Sequence, residues 1–213
     1  WFKQFLSDYS FETIFNNTWK LSLYNLAVTF PLPIVFALMV NALRGEKYKK
    51  VIQTVSYMTH FISMTVMIAI VQMVLNPVTG IYGNAYRLFG GTGYPVDFRS
   101  LAPAFRHIYV ISGVWQSLGW SSIIYVAALS SVSPELHEAA KIDGASRFKR
   151  ILYVDFPTIL PTIMIMLIMR CGQVLGVGFE KAYMLQSSLN LKTSEVISTY
   201  VYKYGMAKVR NFS

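Results

Sequence analysis

Four long stretches that are almost free of charged side chains constrain the fold of this sequence more than any other feature. They cover residues 21–43, 51–75, 108–132 and 156–179. Arg170 is the only charged side chain inside them, and His60 is their only histidine. A helix needs about 20 mainly apolar residues to cross the hydrocarbon core of a bilayer. The pattern therefore predicts an all-α integral membrane protein in which each stretch is one span.

The composition argues against the alternative, a large soluble core built from four buried helices. Of the 213 residues, 54% are hydrophobic and only 14% are charged, whereas a soluble protein carries about 25% charged residues. Too little polar sequence remains to cover such a core. The net charge of +9 does not indicate nucleic-acid binding, because several cations flank the apolar stretches, as they do in membrane proteins.

The cysteine and histidine content excludes two kinds of site. The single cysteine, Cys171, cannot form a disulfide within the chain. His60, His107 and His137 are too scattered along the sequence to suggest a zinc site, so no metal is expected.

The sequence starts at Trp1 without an initiator methionine, and we expect both of its ends to be clipped.

Charged residues between the stretches predict the orientation. The segment 44–50 contains four cations among seven residues, so we expect it to be cytoplasmic. Alternation of spans then places 76–107 outside and 133–155 inside, and the inner segment carries four more cations. The tail after Phe179 contains five cations that would lie outside, which opposes this orientation.

The inner segment 133–157 has the pattern of two short helices joined by a turn. Ser133 is a typical helix N-cap, and Gly144 allows a sharp change in chain direction. Two such helices at the cytoplasmic face would form a rigid knob, and the small side chains of Ala139 and Ala140 would let it enter a groove in a partner. The residues alone fit an ordinary interfacial amphipathic loop equally well.

The same segment resembles the EAA signature of permease subunits of ATP-binding-cassette (ABC) importers, the MetI-like family. That signature reads Glu-Ala-Ala, three residues, Gly, nine residues, then Ile-x-Leu-Pro. Here Glu138-Ala139-Ala140 is followed at this spacing by Gly144 and by Val154-Asp155-Phe156-Pro157. Valine and phenylalanine depart from the pattern but stay apolar. The local form EAAKIDGA is similar to the carbohydrate-importing branch.

The resemblance extends over nearly the whole chain. The segment 76–98, the run GWSSIIYVAALSSVSPELHEAA that leads into the motif, and the tail 178–205 are similar to oligosaccharide and polysaccharide permeases. The resemblance implies a single permease domain over 1–213, with the type I importer fold and two short cytoplasmic coupling helices. Such permeases normally have six spans, so four of an expected six are present.

The family implies a mechanism of alternating access driven by a separate ATPase. Two permease subunits, the second expected to be a different chain, form the pathway in the bacterial cytoplasmic membrane. Each inserts its EAA loop into one subunit of an ATPase dimer, which binds ATP and Mg²⁺, and an extracytoplasmic solute-binding protein delivers the substrate. The chain has no phosphate-binding G-x-x-x-x-G-K-[ST] motif of its own, so ATP must be bound elsewhere. The resemblance implies a transport subunit, and we expect the chain itself not to be an enzyme. The resemblance assigns ATPase docking to Glu138, Ala139, Ala140, Asp143, Gly144, Ala145 and Pro157.

Arg170 is a candidate for the substrate pathway. A charge near the middle of a span costs about 2.5–3.5 kcal/mol on insertion scales, so we expect Arg170 to face the bundle interior. Gln173 lies about one turn away on the same side of a helix. Both could line a path for sugar hydroxyls or a charged sugar. A structural pair, with Glu180 as the candidate partner, or snorkelling of the side chain remains open.

Four further residues are candidates for a carbohydrate path. Trp115 offers an aromatic face that can stack on a sugar, as does Trp120, although packing or lipid contact is an alternative for both. Gln116 is a better candidate because an amide seldom faces lipid. His60 is the fourth candidate, with a hydrogen-bonded packing role as its alternative. Pro31 and Pro33 are expected to kink the first span.

Two other functions are compatible with a multispan protein. An ion-coupled secondary transporter or channel would usually carry acidic residues within its spans, and none of the ten acids lies in the four stretches. A membrane enzyme would need a nucleophile–base or metal-ligand cluster, and no such pattern is present. Within ABC importers, a non-sugar substrate remains open.

Overall fold

The computed structural model describes residues 11–43 and 45–207, with side chains up to 205, and its regular structure in these residues is entirely helical. This confirms the predicted all-α fold. The helices are α1 (Phe11–Thr29), α2 (Pro31–Asn41), α3 (Glu46–Met58), α4 (Met64–Val74), α5 (Ile81–Leu88), α6 (Ala102–Ser130), α7 (Pro134–Ile142), α8 (Arg147–Arg150), α9 (Phe156–Gly172), α10 (Phe179–Leu185), α11 (Leu191–Ser194) and α12 (Ile197–Tyr202).

Two helical segments among the described residues are long and apolar enough to cross a membrane. They are Phe11–Asn41, which contains α1 and α2, and Arg147–Gly172. A third results if Glu46–Phe61 and Met64–Val74 form one broken span. Helix α6 is 29 residues long, which is enough length for a bilayer. The four span boundaries remain predictions, and Arg44 of the predicted cytoplasmic segment lies outside the described residues.

The chain divides into two compact units. Among the described residues, one consists of 11–25, 63–112 and 174–207, and the other of 26–43, 45–62 and 113–173. The core of the second unit is formed by α2, the last turns of α6 and the first half of α9. Its buried members recur three or four positions apart along these helices, as one helix face requires: Ile34, Ala37, Tyr125, Leu129, Val132, Ile159 and Ile163.

The first unit contains buried polar side chains as well as buried apolar ones. Asn190 is 1% exposed, and its Nδ2 donates to the carbonyl oxygens of Arg99 and Leu185, each at 3.1 Å. Its Oδ1 accepts from the Ser187 backbone N–H and the Ser194 hydroxyl. A buried amide with donors and acceptors satisfied stabilises one arrangement of the surrounding chain. These bonds therefore fix the segment 185–194 within this unit.

The first span is interrupted at the predicted place. Helix α1 ends at Thr29 and α2 begins at Pro31, because proline is tolerated in the first turn of a helix but not in its interior. The Phe30 N–H still donates to the Leu26 carbonyl oxygen at 3.1 Å. The interruption is therefore confined to one residue.

The helix that covers most of the fourth apolar stretch begins and ends earlier in the sequence than that stretch does. The expected second short helix is not separate, because α8, a wider π-type turn (Ile151–Asp155) and α9 form one helix over Arg147–Gly172. The wider turn accommodates Pro157, which has no N–H to donate. At the other end the helix stops at Gly172 rather than near Phe179.

Candidate functional site

The predicted helix start at Ser133 is confirmed. Ser133 has an extended backbone, and its Oγ accepts a hydrogen bond from the Glu135 N–H at 3.3 Å. Pro134 occupies the first helical position, where its missing N–H has no cost. Two side chains that lie next to each other in sequence therefore determine where α7 begins.

The predicted turn at Gly144 is also confirmed. Gly144 has a φ of 75°, the left-handed region that favours glycine. The Ala145 N–H donates to the Ala140 carbonyl oxygen at 2.9 Å, and the Gly144 N–H donates to that of Lys141 at 3.0 Å. These two bonds form a Schellman motif, which satisfies the last carbonyl groups of α7 and turns the chain sharply. The result is a stiff connection between α7 and α8.

The seven residues expected to dock an ATPase lie on α7, its turn and the first turn of α9. Glu138, Ala139 and Asp143 have exposed side chains, as has Pro157. An apolar side chain that was not predicted to be part of the site is also exposed here: Ile142 is 86% exposed. An accessible acid beside an exposed apolar side chain is compatible with a protein-binding surface. The docking role of these residues remains a prediction.

His137 and Asp155 form a close polar contact that sequence reasoning did not identify. His137 Nε2 lies 3.2 Å from Asp155 Oδ1, and the Asp155 side chain is only 5% exposed. The pair joins α7 to the start of α9. In the sequence, His137 is notable only as one of three scattered histidines, and Asp155 occupies the variable position of the motif. The contact could have been predicted from two features of the sequence. Asp155 directly precedes an apolar stretch, and His137 lies on the short helix before it.

Gln116 contacts the break between α3 and α4. The side-chain Nε2 of Gln116 donates to the Ile62 carbonyl oxygen at 2.8 Å. The backbone carbonyl oxygen of Gln116 accepts from the Thr59 hydroxyl at 3.2 Å. These bonds satisfy backbone and side-chain groups where the helix is interrupted. The predicted pathway role is untested, but the amide already has a structural partner.

His60 packs against the aromatic side chains near it. Its ring is stacked on Trp120 with centroids 4.5 Å apart and an interplanar angle of 3°, and Phe61 meets Trp120 edge-on. Trp115 is 43% exposed and contributes to none of these ring contacts. Trp120 is 45% exposed despite its ring contacts, so the two candidate tryptophans are about equally accessible to a ligand or lipid.

Arg170 lies near the end of its helix and not near the middle. The helix ends at Gly172, so Arg170 lies in its last turn and Gln173 is its C-cap. The sequence after Arg170 is rich in glycine, which disfavours a helix, and this explains the early end. Both side chains are exposed in the chain. A cation near a helix C-terminus is also favoured by the helix dipole, which removes part of the expected cost.

No cluster of three or more metal-ligating side chains is present in residues 11–43 and 45–207. The functional features found in this part of the chain are thus a stiff, exposed helical knob and polar groups near helix breaks and ends. Such an arrangement can bind a partner and transmit motion.

The chain is similar to membrane components of transport systems. Residues 29–209 match the family described as binding-protein-dependent transport system inner membrane component. The chain is 36% identical over 208 residues to Protein LplB of Bacillus subtilis (strain 168), covering 98% of this chain and 65% of that protein. It is 35% identical over 205 residues to the polygalacturonan/rhamnogalacturonan transport system permease protein YteP of the same organism, covering 96% and 63%.

Solved structures show the same fold. A bacterial ABC transporter involved in the import of the acidic polysaccharide alginate matches with a TM-score of 0.92 and 37% identity, over 98% of this chain and 72% of that chain. The same kind of transporter, in complex with an alginate pentasaccharide-bound periplasmic protein, matches with a TM-score of 0.91 and 37% identity, over 97% and 71%. The chain thus spans slightly less than two thirds of the two curated relatives and about 70% of the solved chains.

Proposed function

Because the chain belongs to the family of binding-protein-dependent transport system inner membrane components, we propose that it is the permease subunit of an ATP-driven carbohydrate importer. The protein is an integral membrane protein, and we place it in the cytoplasmic membrane of a bacterium. In this proposal it catalyses no reaction, and a separate ATPase dimer binds ATP and Mg²⁺. A second permease subunit and an extracytoplasmic binding protein complete the importer.

The proposed substrate is an oligosaccharide or polysaccharide fragment. This rests on the relatives at 35–37% identity, whose names mention polygalacturonan, rhamnogalacturonan and alginate. Arg170, Gln173, Gln116, Trp115 and His60 are the proposed pathway residues. Alginate is described as acidic, and Arg170 could bind a carboxylate of such a substrate through charge-assisted hydrogen bonds.

The observation that carries the mechanism is the rigid link between the exposed helix α7 and the membrane helix α9. The Schellman turn at Gly144 and the His137–Asp155 pair both join these elements. A movement applied by an ATPase to Glu138 would therefore reach the first turn of α9 without being absorbed by a flexible loop. Rigid-body motion of helices is a common way to switch a pathway between two openings.

Glu138→Lys tests the docking function. We expect this variant to reach the membrane at the normal level but to lose copurification of the ATPase and uptake, because Glu138 is predicted to pair with a basic residue of the partner. Glu135→Lys makes the same charge change one turn earlier on α7 and is expected to retain most uptake. Normal uptake and ATPase capture by Glu138→Lys would overturn the docking assignment.

A measurement of stimulated ATP hydrolysis tests the substrate class. The complete importer, purified with its ATPase and binding protein, is expected to hydrolyse ATP faster when the binding protein carries an oligosaccharide. Amino acids or peptides are expected to have no such effect. Stimulation by these compounds alone would contradict the carbohydrate assignment while leaving the ABC permease assignment in place.

A further inference from the structure

An open cleft of about 430 Å³ lies beside the knob, within the second unit. Four structural elements line it: the end of α2, helix α3, helix α7, and α8 with the wider turn that follows it. Its charged and polar lining consists of Asn41, Lys49, His137, Lys141, Arg147, Arg150 and Asp155. Neither the docking signature nor the proposed substrate pathway includes its four lysine and arginine residues.

The cleft has an excess of positive charge. Four cations face one carboxylate, and that carboxylate, Asp155, is paired with His137 at 3.2 Å. Lys49 contacts Glu46 at 3.3 Å, but Glu46 is 77% exposed, and such exposed pairs contribute little. Lys141, Arg147 and Arg150 take part in none of the ion pairs among the described residues.

One hydrogen-bond donor in this cleft, the Nε–H group of Arg150, lacks an acceptor. Its Nε is buried, and it has no hydrogen-bond partner in the part of the chain that the structure describes. Buried donors are almost always paired in folded proteins, with protein, water or a ligand. A phosphate oxygen is a strong acceptor for a guanidinium group. The unsatisfied donor and the surrounding cations both favour an anion in this cleft.

The position of the cleft favours a lipid as the source of that anion. Asn41 is the last residue of one candidate span and Arg147 is the first residue of the other. The ends of a membrane span lie at the depth of the lipid headgroups. On the same helix, Phe148 and Tyr153 are each 72% exposed. Exposed aromatic side chains next to cations are typical of a membrane interface.

We propose that this cleft binds the phosphate headgroup of an anionic phospholipid. Lys141, Arg147 and Arg150 contact the phosphate, and Phe148 and Tyr153 lie against the adjoining glycerol and acyl region. The site adjoins α7 and the start of α9, so a bound lipid would stabilise the knob relative to the membrane. The proposal goes beyond carbohydrate import and requires only that the two candidate spans cross the bilayer.

The test uses the purified importer complex and native mass spectrometry. The probes are dioctanoyl phosphatidylglycerol, dioctanoyl phosphatidylcholine and inorganic phosphate. We expect phosphatidylglycerol to bind the wild-type complex at least tenfold more tightly than phosphatidylcholine. We expect inorganic phosphate to bind far more weakly than phosphatidylglycerol, because it lacks the acyl contacts.

Two charge-matched variants assign the binding to the cleft. Lys141→Gln/Arg147→Gln removes two exposed cations of the lining, so folding is preserved while the affinity for phosphatidylglycerol falls at least tenfold. Lys47→Gln/Lys50→Gln removes two exposed cations of α3 outside the lining and should change the affinity less than twofold. Equal losses in the two variants, or equal binding of the two lipids, would overturn the proposal.

Two other outcomes would reassign the cleft. Displacement of phosphatidylglycerol by an equal concentration of inorganic phosphate would make it a site for free phosphate, which contradicts a lipid. Loss of ATPase copurification in Lys141→Gln/Arg147→Gln, with unchanged lipid binding, would make it part of an acidic partner's surface. Glu138→Lys, which tests the proposed function, leaves the lining intact and should bind phosphatidylglycerol normally.

Discussion

His137 Nε2 and Asp155 Oδ1 lie 3.2 Å apart and join the exposed helix α7 to the wider turn that leads into α9. The two residues are 18 positions apart in sequence, and the carboxylate is almost completely buried. A buried charge without its partner is costly. The pair therefore stabilises one orientation of the knob on the membrane helix.

The first prediction is that His137 and Asp155 are energetically coupled. His137→Gln and Asp155→Asn should each destabilise the protein, and the double variant should lose less stability than the sum of the two. Thermal unfolding of the four proteins in detergent should give a coupling free energy of about 0.5–3 kcal/mol, the range for residues in contact. Purely additive losses would show that the contact contributes nothing.

The second prediction concerns the backbone at Gly144. Gly144→Val should reduce uptake strongly, because a β-branched residue is strained by about 1–2 kcal/mol at a φ of 75°. No atom lies within 4 Å of a Cβ built at this position, so the effect is conformational and not steric. Gly144→Asn is the control, since asparagine tolerates this region, and it should retain most uptake. Equal activity of the two variants would contradict the role of the turn.

The third prediction is that Arg170 acts on the substrate. Arg170→Ala should weaken uptake while assembly of the complex and substrate-independent ATP hydrolysis persist. A structural role would instead lower the stability of the complex in the same variant. Arg170→Met keeps the apolar stem of the side chain, and unchanged uptake by a stable Arg170→Met complex would identify the residue as snorkelling.

The fourth prediction follows from Lys181, whose Nζ lies 4.6 Å from the centre of the Tyr109 ring. Burial lowers the pKa of Lys181 from 10.5 to about 8. Between these values the unfolded chain binds more protons than the folded one, so the contribution of this group to stability rises with pH across that window. Below pH 8 the buried charge is present in full and destabilises the fold.

Lys181→Met should therefore raise the melting temperature at pH 7 by a few degrees, since it removes a buried charge and keeps the length of the side chain. The advantage over the unchanged protein should shrink between pH 8 and pH 10.5. Lys192→Met, at an exposed position in the same unit, should show no such pH dependence. A constant difference from pH 7 to pH 10.5 would disprove the link to Lys181 ionisation.

The fifth prediction is the orientation in the membrane. In a Cys171→Ser background, a cysteine at Phe89, which is 92% exposed, should react with an impermeant thiol reagent added to intact cells. A cysteine at Lys47 should react only after permeabilisation, because the cations around it favour the cytoplasm. Labelling of the Lys47 position in intact cells would invert the topology.

The sequence by itself determined the features that depend on neighbouring residues. Long apolar stretches require helices because a bilayer leaves no water for unpaired backbone groups. Ser133 caps α7 within two positions, and Gly144 ends it through bonds within five positions. Residues near in sequence were therefore enough to predict the knob.

Only the tertiary structure decided which distant groups meet. Gln116 bonds to Ile62 across 54 positions, and His137 meets Asp155 only because α7 folds back on the start of α9. The cationic cleft likewise requires Lys49 and Arg150 to converge from different elements. Charge and hydropathy patterns contain no information on the distance between such residues. Packing of α2, α6 and α9 around one buried core brings them together, and that packing depends on the shapes of many side chains at once.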